Sequence, residues 1–139
     1  THRHQISTSV VMLDIDRFKL VNDSRGHGTG DRLLVEIGRI LRQQCRSLDA
    51  VGRMGGDEFL VILPMTTAAE AEVFVQRVQR AIEKLEIEFP DFGSPSLSMG
   101  IAEAPRHGKG PEQLLGAADA ALYRAKRGGR NAVLIAEDG

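Results

Sequence analysis

Residues 51–63, VGRMGGDEFLVIL, leave this chain little freedom in how it folds. Two apolar runs, residues 51–54 and 59–63, flank Gly55-Gly56-Asp57-Glu58, the pattern of two antiparallel strands joined by a tight turn. The glycine pair supplies the positive φ that such a turn needs, and it leaves room for a ligand to approach the backbone amides. No turn requires two adjacent carboxylates ahead of an apolar strand. Asp57 and Glu58 repel each other unless positive charge lies close, and an oxygen-preferring divalent cation is the usual source. A solvated acidic turn is the plainer alternative for an isolated Asp-Glu pair.

A second acidic cluster shifts the balance. Val10-Val11-Met12-Leu13 is an apolar run of strand type that ends in Asp14-Ile15-Asp16, so carboxylates sit at the carboxyl end of a buried strand. Two strand ends carrying aspartate in one small domain suggest a shared metal site.

These residues also carry a family resemblance. Gly55-Gly56-Asp57-Glu58-Phe59, with Arg53 ahead of it, resembles the signature of the GGDEF family, the diguanylate cyclases that join two GTP into cyclic di-GMP. Asp14-Ile15-Asp16-Arg17-Phe18-Lys19, followed by Asn22-Asp23, Gly26-His27 and Gly30-Asp31, is similar to the family's D-x-D-x-F-K-x-x-N-D-x-x-G-H-x-x-G-D run. Ser98-Met99-Gly100-Ile101-Ala102 resembles its S-x-G-x-A strand, and residues 118–131 resemble its closing A-D-x-A-L-Y-x-A-K-x-x-G-R-N block. Four ordered blocks span nearly the whole chain.

The resemblance implies an α+β fold of the nucleotide-cyclase type: a central, mostly antiparallel five-stranded sheet flanked by helices, with the hairpin central and GGDEF on its turn. Asp14, the Ile15 carbonyl, Asp57 and Glu58 would hold Mg²⁺, or Mn²⁺ in its place, and Asp57 and Glu58 would serve catalysis. Asn22 and Asp31 would bind guanine, whose N1–H and N2–H donors beside an O6 acceptor suit an amide plus a carboxylate. Lys19, Lys126, Arg130, Gly55 and Gly56 would meet the phosphates. Arg46-Ser47-Leu48-Asp49, with Asp49 six residues ahead of Gly55, resembles the R-x-x-D site where cyclic di-GMP arrests turnover, with Arg77 as a second inhibitory arginine. The expected activity is therefore condensation of two GTP by a homodimer, with release of two pyrophosphates and inhibition by the product. A catalytically silent domain that binds GTP or cyclic di-GMP is the alternative, and a purely structural α+β domain is the third. The family's usual D-x-L-T-G-L-x-N-R opening is not found ahead of the first strand, so residues 1–139 are expected to form one domain without that segment. Arg25 and Met54 depart from the usual family residues, and Arg25 is expected to bear on the loop over guanine.

Charge narrows the ligand class. The net charge of −1 disfavours nonspecific binding to DNA, RNA or an anionic membrane, so a triphosphate must be met by a focused basic pair. No apolar run is long enough to span a bilayer, and the single cysteine, Cys45, cannot form an internal disulfide. A cytoplasmic location is expected, with any membrane anchor lying elsewhere in a parent protein. His2 and His4 read as a solvated terminus in preference to a metal pair.

The remaining pattern is core. Gly26, Gly28 and Gly30 predict a loop, and it is not a phosphate loop, because Gly30-Asp31 stands where Gly-Lys-Ser or Gly-Lys-Thr would be needed. Leu33, Leu34, Ile37, Ile40, Leu41 and Cys45 mark one face of a helix over residues 31–46. Thr67-Ala68-Ala69-Glu70 reads as a capping box opening a second helix, and Pro111 opens a third. Strands are expected near residues 10–14, 51–54, 58–63, 96–102 and 132–136.

Overall fold

The computed structural model describes residues 6–138; His2 and His4 lie outside the described residues. The chain runs β1 (Thr8–Ile15), α1 (Phe18–Arg25), α2 (His27–Gln44), β2 (Ala50–Gly55), β3 (Glu58–Pro64), α3 (Ala68–Glu88), a 3₁₀ turn (Pro90–Phe92), β4 (Leu97–Ala104), α4 (Pro111–Arg127) and β5 (Val133–Ile135). The five strands form one sheet in the order β2-β3-β1-β4-β5. Every neighbouring pair is antiparallel except β4 and β5. The expected α+β sheet is present, but β1 and not the hairpin occupies its centre. β2 is an edge strand, exposed at Gly52, Arg53 and Met54.

Alternation along β1 decides what each face of the sheet can do. Val11, Leu13 and Ile15 point to one side, where they join Phe59, Val61, Leu63, Met99 and Ile101 under α2 and α3. Val10 and Met12 point to the other side, where they pack with Ala102, Leu114 and Ala118 under α4. Asp14 and Asp16 continue this second set by the same period of two. The acids at the strand tip therefore face α4, whose last turn carries Arg124, Lys126 and Arg127.

α4 can reach that strand end because it lies very close to β4. A Cβ at Gly100 would fall on the Ala118 carbonyl oxygen and the Leu122 nitrogen, so only glycine permits this approach. On the opposite face, α3 starts with the expected capping box: the Glu70 amide donates to Thr67 Oγ1 at 3.2 Å and the Thr67 amide donates to Glu70 Oε1 at 2.9 Å.

The glycine-rich segment is helical, contrary to the expected loop. α2 begins at His27, so Gly28 and Gly30 lie inside it, and α1 precedes it from Phe18. The reason is packing: a Cβ at Gly30 would overlap the Asn22 carboxamide, so the glycine lets α1 lie against α2. Cys45 caps α2, half-buried and reduced, and burial pushes its thiol pKa up. Arg25 donates to the Asp91 carbonyl at 3.1 Å, so it ties α1 to the 3₁₀ turn.

Candidate functional site

The register of the sheet brings the acidic clusters together. Asp14 on β1 stands directly opposite Glu58 on β3, and the Ile15 amide donates to the Asp57 carbonyl at 3.2 Å. Directly opposed like charges on one sheet face repel, so this pairing needs a cation. Lys126 supplies one: its Nζ forms an ion pair with Asp14 Oδ2. The other oxygen, Asp14 Oδ1, is buried with no hydrogen-bond partner among the described residues.

The electrostatics follow from this crowding. Burial raises the Asp14 pKa, and Asp57 and Asp16 add to the rise against the opposing pull of Lys126. Burial also raises Glu58, with Asp14 and Asp57 contributing in the same direction. Burial by itself would lower the Lys126 pKa, but the hydrogen bond and charge of Asp14, with Asp57 and Glu58, outweigh it and the ammonium is stabilised. Negative charge is thus in local excess, and a second cation would relieve it.

The donor set suits a hard divalent cation. Asp14, Asp57 and Glu58 are hard oxygen donors, and the orphaned Asp14 Oδ1 is the kind of atom a divalent ion satisfies. Among the described residues no three His, Cys, Asp or Glu side chains are gathered in ligating geometry, and the Asp14 carboxylate faces Lys126. Ile15 is buried at the same strand end.

The turn itself is open. Gly55 and Gly56 have φ of 152° and 45°, and a Cβ at either would meet nothing within 4 Å. Conformation explains the glycines, and both residues are exposed. Arg53 Nε donates to the Gly56 carbonyl at 2.9 Å and braces the bend.

The remaining candidates distribute over three places. Asn22 Oδ1 is buried without a partner beside Gly30, whereas Asp31 is exposed and lines a cleft of about 360 Å³ with Arg42, Arg53 and Phe59. Lys19 is exposed on the first turn of α1 and makes no hydrogen bond or ion pair with the described residues. Arg130 is exposed just beyond α4, and its amide donates to the Ala125 carbonyl at 3.0 Å. Neighbouring basic residues have structural partners: Arg124 donates to the Ile135 carbonyl and Arg127 to the Tyr123 hydroxyl.

Arg46, Asp49 and Arg77 meet at a separate cleft of about 310 Å³, on the side of α3. Arg46 grips Asp49 with Nη2 to Oδ1 at 2.8 Å and Nε to Oδ2 at 3.2 Å, and it also donates to the Pro64 carbonyl at 2.7 Å. Burial would raise the Asp49 pKa, but the Arg46 side-chain and backbone hydrogen bonds outweigh it and hold the carboxyl below its usual range. Arg77 is held by Gln44 Oε1 at 3.0 Å.

Two features escaped the sequence reading. Arg42 and Arg53 both line the cleft shared with Asp31, which only the packing of α2 beside β2 reveals. Asp16 is buried and accepts from Ser96 Oγ and Ser98 Oγ, both at 2.6 Å, and from the Asn131 amide at 2.9 Å. The alternating serines opposite the strand tip were its one available signal.

Known proteins resemble this chain in sequence and in fold. Diguanylate cyclase TpbB of Pseudomonas aeruginosa is 40% identical over 138 residues, covering 98% of this chain and 31% of its own length. The chain thus spans about a third of that relative. The crystal structure of the GGDEF domain of TpbB, also called YfiN, superposes with a TM-score of 0.89 at 40% identity, covering 98% of this chain and 86% of that one. The GGDEF domain of DgcB from Caulobacter crescentus, solved in complex with c-di-GMP, superposes with a TM-score of 0.84 at 31% identity, covering 93% and 77%. The pattern that defines the diguanylate cyclase GGDEF domain matches residues 1–132, and the chain belongs to that family.

Proposed function

We propose that this domain condenses two GTP into cyclic di-GMP, releasing two pyrophosphates, as a homodimer. The observation that carries the reading is the meeting of Asp14, Asp57, Glu58 and Lys126 at one end of the sheet, on the face that α4 covers. Asp14, the Ile15 carbonyl, Asp57 and Glu58 would hold Mg²⁺ or Mn²⁺. A bound divalent ion would lower the pKa of the attacking ribose 3′-hydroxyl and offset charge at the α-phosphate.

The chain's own groups account for the rest. Lys126 and Arg130 bind the β- and γ-phosphates, with Lys19 adding positive charge from α1, and the amides of Gly55 and Gly56 donate to a phosphate. Lys126 is already charged beside the acids, and it would pass from Asp14 to the phosphates as a divalent ion takes the carboxylate. Glu58, with its raised pKa, is suited to exchange a proton with the attacking hydroxyl or to complete the metal shell. Asn22 Oδ1, unpartnered beside α2, accepts from guanine, and Asp31 takes a second guanine N–H. One chain carries one such site, and the product holds two nucleotides, so two copies must present their sites to each other.

Product inhibition would work through the second cleft. Arg46, Asp49 and Arg77 line it together, and this supports a site for cyclic di-GMP apart from the acids of the sheet. Complexes of DgcB with c-di-GMP support binding of this ligand within the family.

The test is product formation. Incubated with GTP and Mg²⁺, the dimeric protein is expected to make cyclic di-GMP, measured by chromatography against a standard. Asp57→Ala is expected to lower the rate at least ~100-fold, the scale of losing one transition-state charge stabiliser. GTP binding without cyclic di-GMP from the dimer would favour the silent binding domain.

A further inference from the structure

Asp16 is a buried carboxylate with no counter-ion among the described residues, and its acceptors are taken by neutral donors on three sides. Oδ1 accepts from Ser98, and Oδ2 accepts from Ser96 and from the Asn131 amide. Its own amide donates to the Ser96 carbonyl at 2.9 Å. With both oxygens so engaged, it is a poor metal ligand.

The third partner is what distinguishes it. Arg130 and Asn131 have φ of 68° and 47°, two consecutive non-glycine residues in the left-handed region. Such a backbone persists only where its surroundings fix it. Here the fixing points bracket one residue: the Arg130 amide is held by the Ala125 carbonyl at the end of α4, and the next amide is held by Asp16. The peptides on both sides of the Arg130 Cα are thereby oriented. Asp16 lies two residues beyond Asp14 on the same face of the sheet, so one carboxylate links the metal-side strand tip to the turn that carries Arg130.

We infer that Asp16 is a positioning residue that sets the left-handed Arg130-Asn131 turn so that Arg130 meets the terminal phosphates of the nucleotide. The inference rests on the phosphate role proposed above for Arg130. Asp16 acts through that turn and touches no substrate. Asp16→Asn keeps an acceptor for the Asn131 amide and, with the rotatable Ser98 hydroxyl accepting from its NH₂, preserves the network.

A double-mutant cycle on affinity, read by calorimetry with a non-hydrolysable GTP analogue and Mg²⁺, separates this from a general structural effect. Asp16→Ala and Arg130→Ala are each expected to weaken binding about 10-fold, and the double variant about 10-fold rather than about 100-fold. GMP, which has no β- or γ-phosphate, should bind all three as it binds the unaltered protein, and Asp16→Asn should bind the analogue normally. Additive losses, or equal weakening for GMP, would overturn the inference. Unchanged affinity in Arg130→Ala would overturn the phosphate role and the inference with it, whereas additivity would leave that role standing. Should Asp16→Ala not fold, hydrogen exchange on the unaltered chain decides: the Asn131 amide, although in an exposed turn, should exchange at least about 100-fold slower than a free amide. Exchange at the free rate would overturn the inference.

Discussion

Asp49 shows how one side chain can be read in two ways. Its carboxylate is almost wholly buried yet held ionised by Arg46, so it contributes to stability as well as shaping the second cleft. Its folded pKa lies below the unfolded value of about 3.9, so that stability is fully present above about pH 4 and is lost as pH falls through the folded pKa. Asp49→Asn is therefore expected to lower the melting temperature by about 2–4 °C at pH 7, with the difference closing in acid below pH 4. In the activity assay the same variant should require about 10-fold more cyclic di-GMP for half-inhibition. Asp14 and Asp16 make the complementary point. They are two positions apart on one strand face, but one meets a lysine and keeps one oxygen unpartnered while the other meets only hydroxyls and an amide. Their sequence context does not separate them; their partners do.

Among the elements, α4 governs the site, and Gly100 governs α4. A side chain there would press on the backbone of α4 at Ala118 and Leu122, neither of which can give way as a flexible side chain could. Gly100→Val is expected to destabilise the fold by about 1–3 kcal/mol, seen as a shifted denaturant midpoint, and to lower affinity for nucleotide by displacing Lys126. The strands and the helices α3 and α4 were legible because their signals are local: alternation around Asp14, the capping box at Thr67, and Pro111 at the first position of its helix. The start of α2 was not legible. Gly26, Gly28 and Gly30 carry the composition of a loop, and only contact with Asn22 on a neighbouring helix explains a glycine in the helical turn. The place of the hairpin at one side of the sheet was likewise hidden, because β1 pairs with two strands that lie far along the chain on either hand.

At the scale of the whole molecule, one sheet positions two separate candidate sites. The acids and α4 lie at the end of β1, while Arg46, Asp49 and Arg77 line a cleft by α3, so occupancy of the second cleft need not exclude nucleotide from the first. Among the described residues no helix is long and apolar enough to cross a membrane. If two copies must join their sites, specific activity should fall on dilution, and it should do so in step with dissociation of the dimer measured by sedimentation. An activity per chain independent of concentration across that range would contradict a shared site.

The arrangement of charge at the tip of β1 is the centre of this account, and crystals grown with a non-hydrolysable GTP analogue and Mn²⁺ test it most directly. The predicted result is an anomalous peak bonded to the Asp14 and Asp57 carboxylates, with Lys126 and Arg130 on the terminal phosphates. Nucleotide bound elsewhere, or a cation that leaves Asp14 paired only with Lys126, would contradict it.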